Sequence, residues 1–113
     1  MLATEDRQLA TAVRFLRAHA CDGLRLKDFM RQNPLSRRAL ERRVHKLLGR
    51  SPKEEITRVQ IERAKQLLAT TDLPAATIAE KCGYNQPIYF SQVFRSQVGL
   101  SPSDYRAGEK KLR

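Results

Sequence analysis

The longest uninterrupted amphipathic pattern in the chain runs from Pro52 to Thr70. Ser51 and Glu54 have the spacing of a capping box before it, and Pro52 fits the first helical position, where no N–H is needed. Its apolar residues recur at helical spacing on a stripe about 200° wide, which suits a helix with two packing partners. They are Ile56, Val59, Ile61, Ala64, Leu67 and Leu68. The pattern predicts one long helix.

Three shorter apolar stripes precede this helix. Asn33-Pro34 breaks the pattern between the second and third stripes, Ser36 has the character of an N-cap, and Gly49 supplies a left-handed stop. The first stripe is Leu9, Val13, Leu16 and Ala20, on a helix predicted to run to about His19. The second is Leu26, Phe29 and Met30 within residues 24–32, and the third is Leu40, Val44, Leu47 and Leu48. The last two stripes with their short connection predict a helix-turn-helix.

The same pattern returns about fifty residues later. The run Gly49–Pro52 (GRSP) recurs as Gly99–Pro102 (GLSP). Leu40 and Val44 correspond to Phe90 and Phe94, while Ile78, Phe90, Phe94 and Tyr84 are predicted core and Gly83 a turn glycine with positive φ. This internal repeat predicts a second helix-turn-helix.

The repeat sets the predicted organisation. We expect an all-α fold of about seven helices, in a single domain over residues 1–113. Its parts are a first helix-turn-helix at 24–50, a linker helix at 51–71, a second helix-turn-helix at 73–99 and a closing helix at 100–107. Residues Gly108 to Arg113 are expected to fray.

The positive charge of the chain is concentrated in the first predicted helix-turn-helix. The 113 residues carry a formal net charge of +10, with a pI near 10.3. Residues 24–50 hold nine basic and two acidic groups, a net charge of +7, whereas residues 72–99 hold two of each. This charge indicates a polyanionic partner, and it favours nucleic acid over the alternative of a basic surface that only maintains solubility.

Other functional classes find little support in the sequence. There is no Ser/His/Asp or Cys/His set, no glycine-rich phosphate loop and no cluster with metal-ligand spacing, so we expect no enzyme, no cofactor and no metal. Cys21 and Cys82 are interpreted as buried thiols of a cytoplasmic protein. No apolar run approaches about 18 residues and no charged-then-apolar leader opens the chain, so no membrane partner is expected.

Candidate DNA-binding residues lie at positions that the apolar stripes leave over. In a helix-turn-helix the second helix enters the major groove, where Arg reads guanine, Gln reads adenine, Glu accepts from cytosine and Ile touches the thymine methyl. The predicted base readers are Arg37, Arg38, Glu41 and Arg42 in the first unit and Gln86, Ile88, Ser91 and Gln92 in the second. The predicted backbone contacts are Ser36, His45, Lys46, Arg50, Asn85 and Arg95. A solvated charged face is the alternative for any single arginine, since half or more of protein–DNA hydrogen bonds go to phosphate and sugar.

An ordered set of motifs resembles the AraC/XylS-type transcription regulators. The motifs are Ala64–Leu68 (AKQLL), Ile78-Ala79, Cys82–Tyr84 (CGY), Tyr89–Ser91 (YFS), Phe94-Arg95, Gly99–Pro102 (GLSP) and Tyr105-Arg106, and the resemblance covers about residues 5–107. It implies two helix-turn-helix subdomains set on successive major grooves of one DNA face. The chain departs from the family pattern at Val44, Glu55, Gln60 and Gln92. Similar departures occur in the branch that resembles xylose-operon regulators.

Three functions are compatible with these observations. The resemblance implies sequence-specific DNA binding that regulates transcription, as an activator and with a sugar-utilisation operon as the target. A module that contacts RNA polymerase and a non-specific basic nucleic-acid-binding protein are the alternatives. The isolated domain is expected to be monomeric, and the sequence is expected to be either a stand-alone regulator or the DNA-binding end of a longer protein.

Overall fold

The computed structural model describes residues 4–112, and side chains from residue 6 to residue 112. Within that range the backbone forms seven α-helices and no strand. The helices are α1 (Thr4–His19), α2 (Leu26–Gln32), α3 (Arg37–Leu48), α4 (Pro52–Thr70), α5 (Ala75–Lys81), α6 (Pro87–Val98) and α7 (Pro102–Lys111). The prediction of an all-α fold with about seven helices is confirmed.

The chain divides into two compact units, Met1–Arg58 and Val59–Arg113. The helix α4 is continuous across this division, as the long apolar stripe predicts. Each unit contains one complete helix-turn-helix, made of α2 and α3 in the first and of α5 and α6 in the second. No helix within residues 4–112 has the length and hydropathy needed to cross a membrane.

The core of the first unit is aliphatic apart from one phenylalanine. Leu16, Leu40 and Val44 have no exposed surface, and α3 packs against both α1 and α2. The remaining buried apolar side chains are Leu9, Ala12, Val13, Ala20, Phe29, Met30, Leu35 and Ile56. These are largely the residues of the first three stripes, so the hydrophobic pattern determines which face of each helix is buried.

The core of the second unit is aromatic. Phe90 and Phe94 are fully buried, and a chain of ring contacts runs from Tyr84 through both phenylalanines to Tyr105, with centroid separations of 5.3, 5.9 and 5.7 Å. Ile61, Ala64, Leu67, Leu68, Ile78, Ala79 and Cys82 complete this core. The prediction that Ile78, Tyr84, Phe90 and Phe94 are core residues is confirmed.

The repeat between the two units extends to the details of the helix ends. Gly49 and Gly99 both adopt left-handed backbone, with φ of 75° and 90°, and both N–H groups donate 2.8 Å bonds to the preceding turn. The hydroxyls of Ser51 and Ser101 then accept from the backbone N–H three residues on, each at 3.1 Å. Glu54 completes the predicted capping box by accepting from the Ser51 N–H at 2.8 Å. Gly83 has the predicted positive φ, 95°.

Three details of the sequence prediction are wrong. Leu47 is 58% exposed because the two-helix contact of α3 is already filled by Leu40 and Val44. The closing helix extends to Lys111 instead of fraying after residue 107, and Lys110 Nζ is held 2.8 Å from Asp72 Oδ1; Arg113 lies outside the described residues. Cys82 is buried as predicted, but Cys21 is only half-buried since it lies in the turn after α1.

Candidate nucleic-acid interface

The predicted readers of the first unit lie on the exposed face of α3. Arg37, Arg38, Glu41 and Arg42 are all exposed, whereas Leu40 on the same helix is fully buried. Arg37 Nε donates to Glu41 Oε1 at 3.2 Å, an exposed pair one turn apart. Such a pair is weak in water, so both side chains can exchange it for contacts to bases.

The predicted backbone-contact residues of the first unit fall into two groups. His45 and Lys46 are exposed in the last turn of α3, where their side chains are accessible for the predicted hydrogen bonds to DNA phosphate. Ser36 is exposed, but its hydroxyl accepts from Ala39 N–H at 3.2 Å and caps α3. Arg50 is half-buried, and its guanidinium donates to Glu55 Oε1 at 2.8 Å. Its orientation is therefore fixed within the protein.

Glu55 is a fully buried carboxylate surrounded by three arginines. Arg17 Nε of α1 donates at 2.6 Å and Arg50 at 2.8 Å, while Arg58 donates twice, at 2.8 and 2.9 Å. The bonds from Arg58 are the largest cause of a pKa for Glu55 lowered from 4.5 to about 2, against the opposing effect of burial. Glu55 is therefore ionised at neutral pH. We call Arg17, Arg50, Glu55 and Arg58 the arginine–glutamate cluster.

Sequence reasoning did not find this cluster. Glu55 lies between the stripe residues of a helix and resembles an ordinary solvated charge at that level, and Arg17 is 38 residues away in the chain. The one available signal was the departure from the AraC/XylS-type pattern at Glu55, a position where that family usually has tyrosine. Tertiary contacts between α1 and the start of α4 decide its burial.

Three of the four predicted readers of the second unit, Ile88, Ser91 and Gln92, line one shallow groove along α6. Arg95, a predicted backbone contact, lines it with them, as do Pro87 and the capping Ser101. Ile88 is 76% exposed, so its side chain is accessible at this surface. Asn85 and Gln86 are exposed just before the helix, and Pro87 takes its first position as predicted.

Arg106 has a structural role that sequence reasoning also missed. Its Nε donates to the Leu68 carbonyl and its NH2 nitrogen to the Thr71 carbonyl, both at 3.1 Å. These carbonyls belong to the end of α4, where no intrahelical donor remains, and a cation there also complements the helix dipole. Arg106 therefore attaches α7 to the end of α4 within the second unit.

The two exposed helix faces offer hydrogen-bond donors and acceptors. Among the side chains described, from residue 6 to residue 112, no three His, Cys, Asp or Glu come together as a possible metal site. The exposed faces of α3 and α6 carry guanidinium, carboxylate, amide, hydroxyl and one apolar group, which match the chemistry displayed at base edges in the major groove.

Comparison with known proteins gives these faces a context. A helix-turn-helix domain model matches residues 30–108. The chain is 31% identical over 101 residues to the xylose operon regulatory protein of Escherichia coli K12, covering 89% of this chain. It is 47% identical over 49 residues to the arabinose operon regulatory protein of the same organism, covering 43% of this chain and 17% of that protein.

A solved structure supports the same assignment. The DNA-binding domain of the global transcriptional factor AdpA, in complex with a target DNA, has a TM-score of 0.85 and 30% identity, with 93% of this chain and 95% of that chain covered. The chain spans about a quarter of the xylose operon regulatory protein, 26% of its length. From the domain match, the shared fold and these relatives, the chain belongs to the AraC-type helix-turn-helix family of DNA-binding transcription regulators.

Proposed function

We propose that α3 and α6 are the two recognition helices and that they read bases in successive major grooves of one DNA face. Base readout falls to Arg37, Arg38, Glu41 and Arg42 on α3 and to Gln86, Ile88, Ser91 and Gln92 at α6. The observation that carries this assignment is the exposed α6 groove. It collects an apolar, an amide, a hydroxyl and a cationic side chain on one face, opposite the buried Phe90 and Phe94.

The phosphate contacts are assigned to side chains that border these readers. They are Ser36, His45, Lys46 and Arg50 in the first unit and Asn85 and Arg95 in the second. The net charge of +7 in residues 24–50, against zero in 72–99, makes the first unit the electrostatic anchor. The second unit contributes mainly uncharged readout, because phosphate neutralisation dominates both affinity and its salt dependence.

The length of α4 supports a fixed spacing between the two readers. Its 19 residues make a rod of about 28 Å at about 1.5 Å per residue, near the ~34 Å turn of the DNA duplex. One chain would then protect two major-groove segments about one turn apart while remaining monomeric. Inserting four residues near Gln60 rotates the part of α4 after the insertion by about 40° relative to the part before it, and lengthens the helix by about 6 Å. We expect a loss of affinity for the full site, and unchanged affinity would refute rigid coupling.

The names of the relatives support a further assignment. Regulators of xylose and arabinose operons are among them, so we propose that the whole protein activates a sugar-utilisation operon in the cytoplasm. Contact with RNA polymerase is a compatible second role. The exposed residues of the first unit that are not required for DNA binding are where such contacts would be sought.

Competition between specific and random DNA tests the proposed function. A site selected from random duplexes is labelled, and unlabelled random duplex of equal length is titrated against it at fixed salt. Sequence-specific binding predicts at least about a 1,000-fold preference for the selected site. Equal competition by both duplexes would instead establish a non-specific basic protein.

A further inference from the structure

Arg17 and Arg50 of the arginine–glutamate cluster have N–H donors that do not bond to Glu55. A guanidinium has five N–H donors, and the contacts to Glu55 engage one donor of Arg17 and one of Arg50. The side chains of Arg17 and Arg50 remain 45% and 37% exposed, while Glu55 is completely buried. The carboxylate thus holds both guanidiniums from the protein side and leaves part of each at the surface.

The charges around the cluster favour a further anion. Arg17, Arg50 and Arg58 face the single carboxylate of Glu55. Glu54 lies close by as well: hydrogen bonds with Ser51 lower the pKa of its carboxyl most, and the charges of His45 and Arg50 lower it further. Arg17 and Arg50 carry two positive charges against the one negative charge of Glu55, to which both donate.

The position of the cluster connects it to the recognition helix. Arg50 follows the Gly49 cap at the end of α3, and Arg17 lies in the last turn of α1, before the connection to α2. His45, a predicted phosphate contact, lies within electrostatic reach of the same Glu54. In homeodomains, the connection between helices 1 and 2 and the C-terminal end of the recognition helix are the places that contact the DNA backbone.

We propose that Arg17 and Arg50, positioned by the buried Glu55, form a clamp for the DNA backbone on the first unit, with each guanidinium neutralising one phosphate. Arg17 is the new contact residue, and Glu55 is a positioning residue that acts through the two arginines. The proposal rests on the proposed function, since it adds a phosphate contact to the same complex. Paired guanidiniums held in place bind phosphate well, because little side-chain entropy is lost on binding.

The first test compares two arginines of α1. Arg17→Gln should lower the slope of log affinity against log salt by about 0.9, the value for one phosphate contact on duplex DNA. Arg14→Gln is the matched control, since Arg14 is one turn earlier on the same helix and contacts only Thr11 in the described hydrogen bonds. We expect Arg14→Gln to leave the slope unchanged. Equal slopes for Arg17→Gln and wild type, or equal drops in both variants, would overturn the clamp.

The second test uses the sign of a charge change. Glu55→Gln removes a negative charge from a DNA-binding protein, so charge alone predicts tighter binding. Loss of positioning predicts the opposite, a weakening of about 10-fold, comparable to one lost charge-assisted hydrogen bond. Asp28→Asn makes the same charge change at an exposed position of α2 and should bind as wild type or slightly tighter. Tighter binding by Glu55→Gln would contradict the positioning role.

Folding and function can be separated in these experiments. Circular dichroism at the assay temperature identifies any Glu55→Gln protein that is not folded, and the Arg17→Gln result then decides the proposal alone. If wild type shows no preference for the selected site over random duplex, the proposed function fails. If wild type shows that preference and Arg17→Gln retains the full salt slope, only the clamp fails.

Discussion

The two units use the same helical outline with different interiors. Glu55 and Tyr105 are each the fourth residue after a capping serine, Ser51 in one unit and Ser101 in the other. In the first unit this position is a buried carboxylate bound by three arginines. In the second it is a half-buried tyrosine that packs edge-on against Phe94 at 5.7 Å. One position in the repeat therefore supports either ionic or aromatic packing.

The two kinds of interior contribute differently to the stability of the folded chain. Aromatic burial stabilises a core directly, whereas a buried ion pair must first overcome the desolvation of its charges and is weak evidence for stability. The unit with the ionic interior is also the one with net charge +7 in its helix-turn-helix. At this repeated position the first unit therefore has positioned cationic groups where the second unit has aromatic packing.

The largest expected effect is loss of aromatic packing in the second unit. Phe94 is fully buried between Phe90 and Tyr105, so Phe94→Ala should reduce the free energy of unfolding by about 3–5 kcal/mol. Tyr89→Ala is the control, since Tyr89 is 53% exposed and should cost about 1 kcal/mol or less. Urea titration followed by circular dichroism measures both. Similar losses from the two variants would contradict an aromatic core.

The next effect is a pH dependence confined to the first unit. The pKa of Glu55 is lowered from 4.5 to about 2, so its contribution is complete above pH 4.5 and is lost as the pH falls toward 2. The shift corresponds to about 3–3.5 kcal/mol at most. Glu55→Gln should therefore remove much of the acid sensitivity of the free energy of unfolding between pH 5 and 2. Parallel pH profiles for the variant and wild type would show that Glu55 is not the coupled group.

Binding variants at equivalent positions test the anchor and reader roles. Arg42 and Gln92 occupy the same place in the two units. Arg42→Ala should weaken specific binding by about 1–3 kcal/mol if it reads a base, or lower the salt slope by about one if it holds a phosphate. Gln92→Ala should leave the salt slope unchanged and alter preference at one base pair at most. Affinity measured against salt for both variants decides this, and a larger loss from Gln92→Ala would reverse the roles.

The smallest effects concern the caps that the units share. Ser51→Ala and Ser101→Ala each remove one side-chain acceptor at a helix start and should each cost about 1 kcal/mol. Glu54 accepts from the backbone N–H of residue 51, which Ser51→Ala retains, so the two losses should agree within a few tenths of a kcal/mol. Thermal unfolding of both variants gives the comparison. A variant that unfolds at the same temperature as wild type would show that its hydroxyl adds nothing measurable to the helix start.

The sequence by itself determined the helices, their caps and most of the core. Ser36, Ser51, Gly49 and Gly99 act through bonds to residues three or four positions away, and the apolar stripes are likewise local in sequence. The exposed faces of α3 and α6 follow from the same periodicity, because their readers lie outside the stripes formed by Leu40 and Val44 and by Phe90 and Phe94. Local interactions of this kind can be predicted without knowledge of the tertiary structure.

Only the tertiary structure decided the burial of Glu55, the exposure of Leu47 and the role of Arg106. Arg17 reaches Glu55, and Arg106 reaches Leu68, each across 38 residues. Whether a charged side chain within a helix is solvated or buried depends on which partners other helices bring to it. Leu47 has the correct period but lies beyond the surface that α1 and α2 cover. Periodicity gives the direction of a side chain, whereas burial depends on what packs against it.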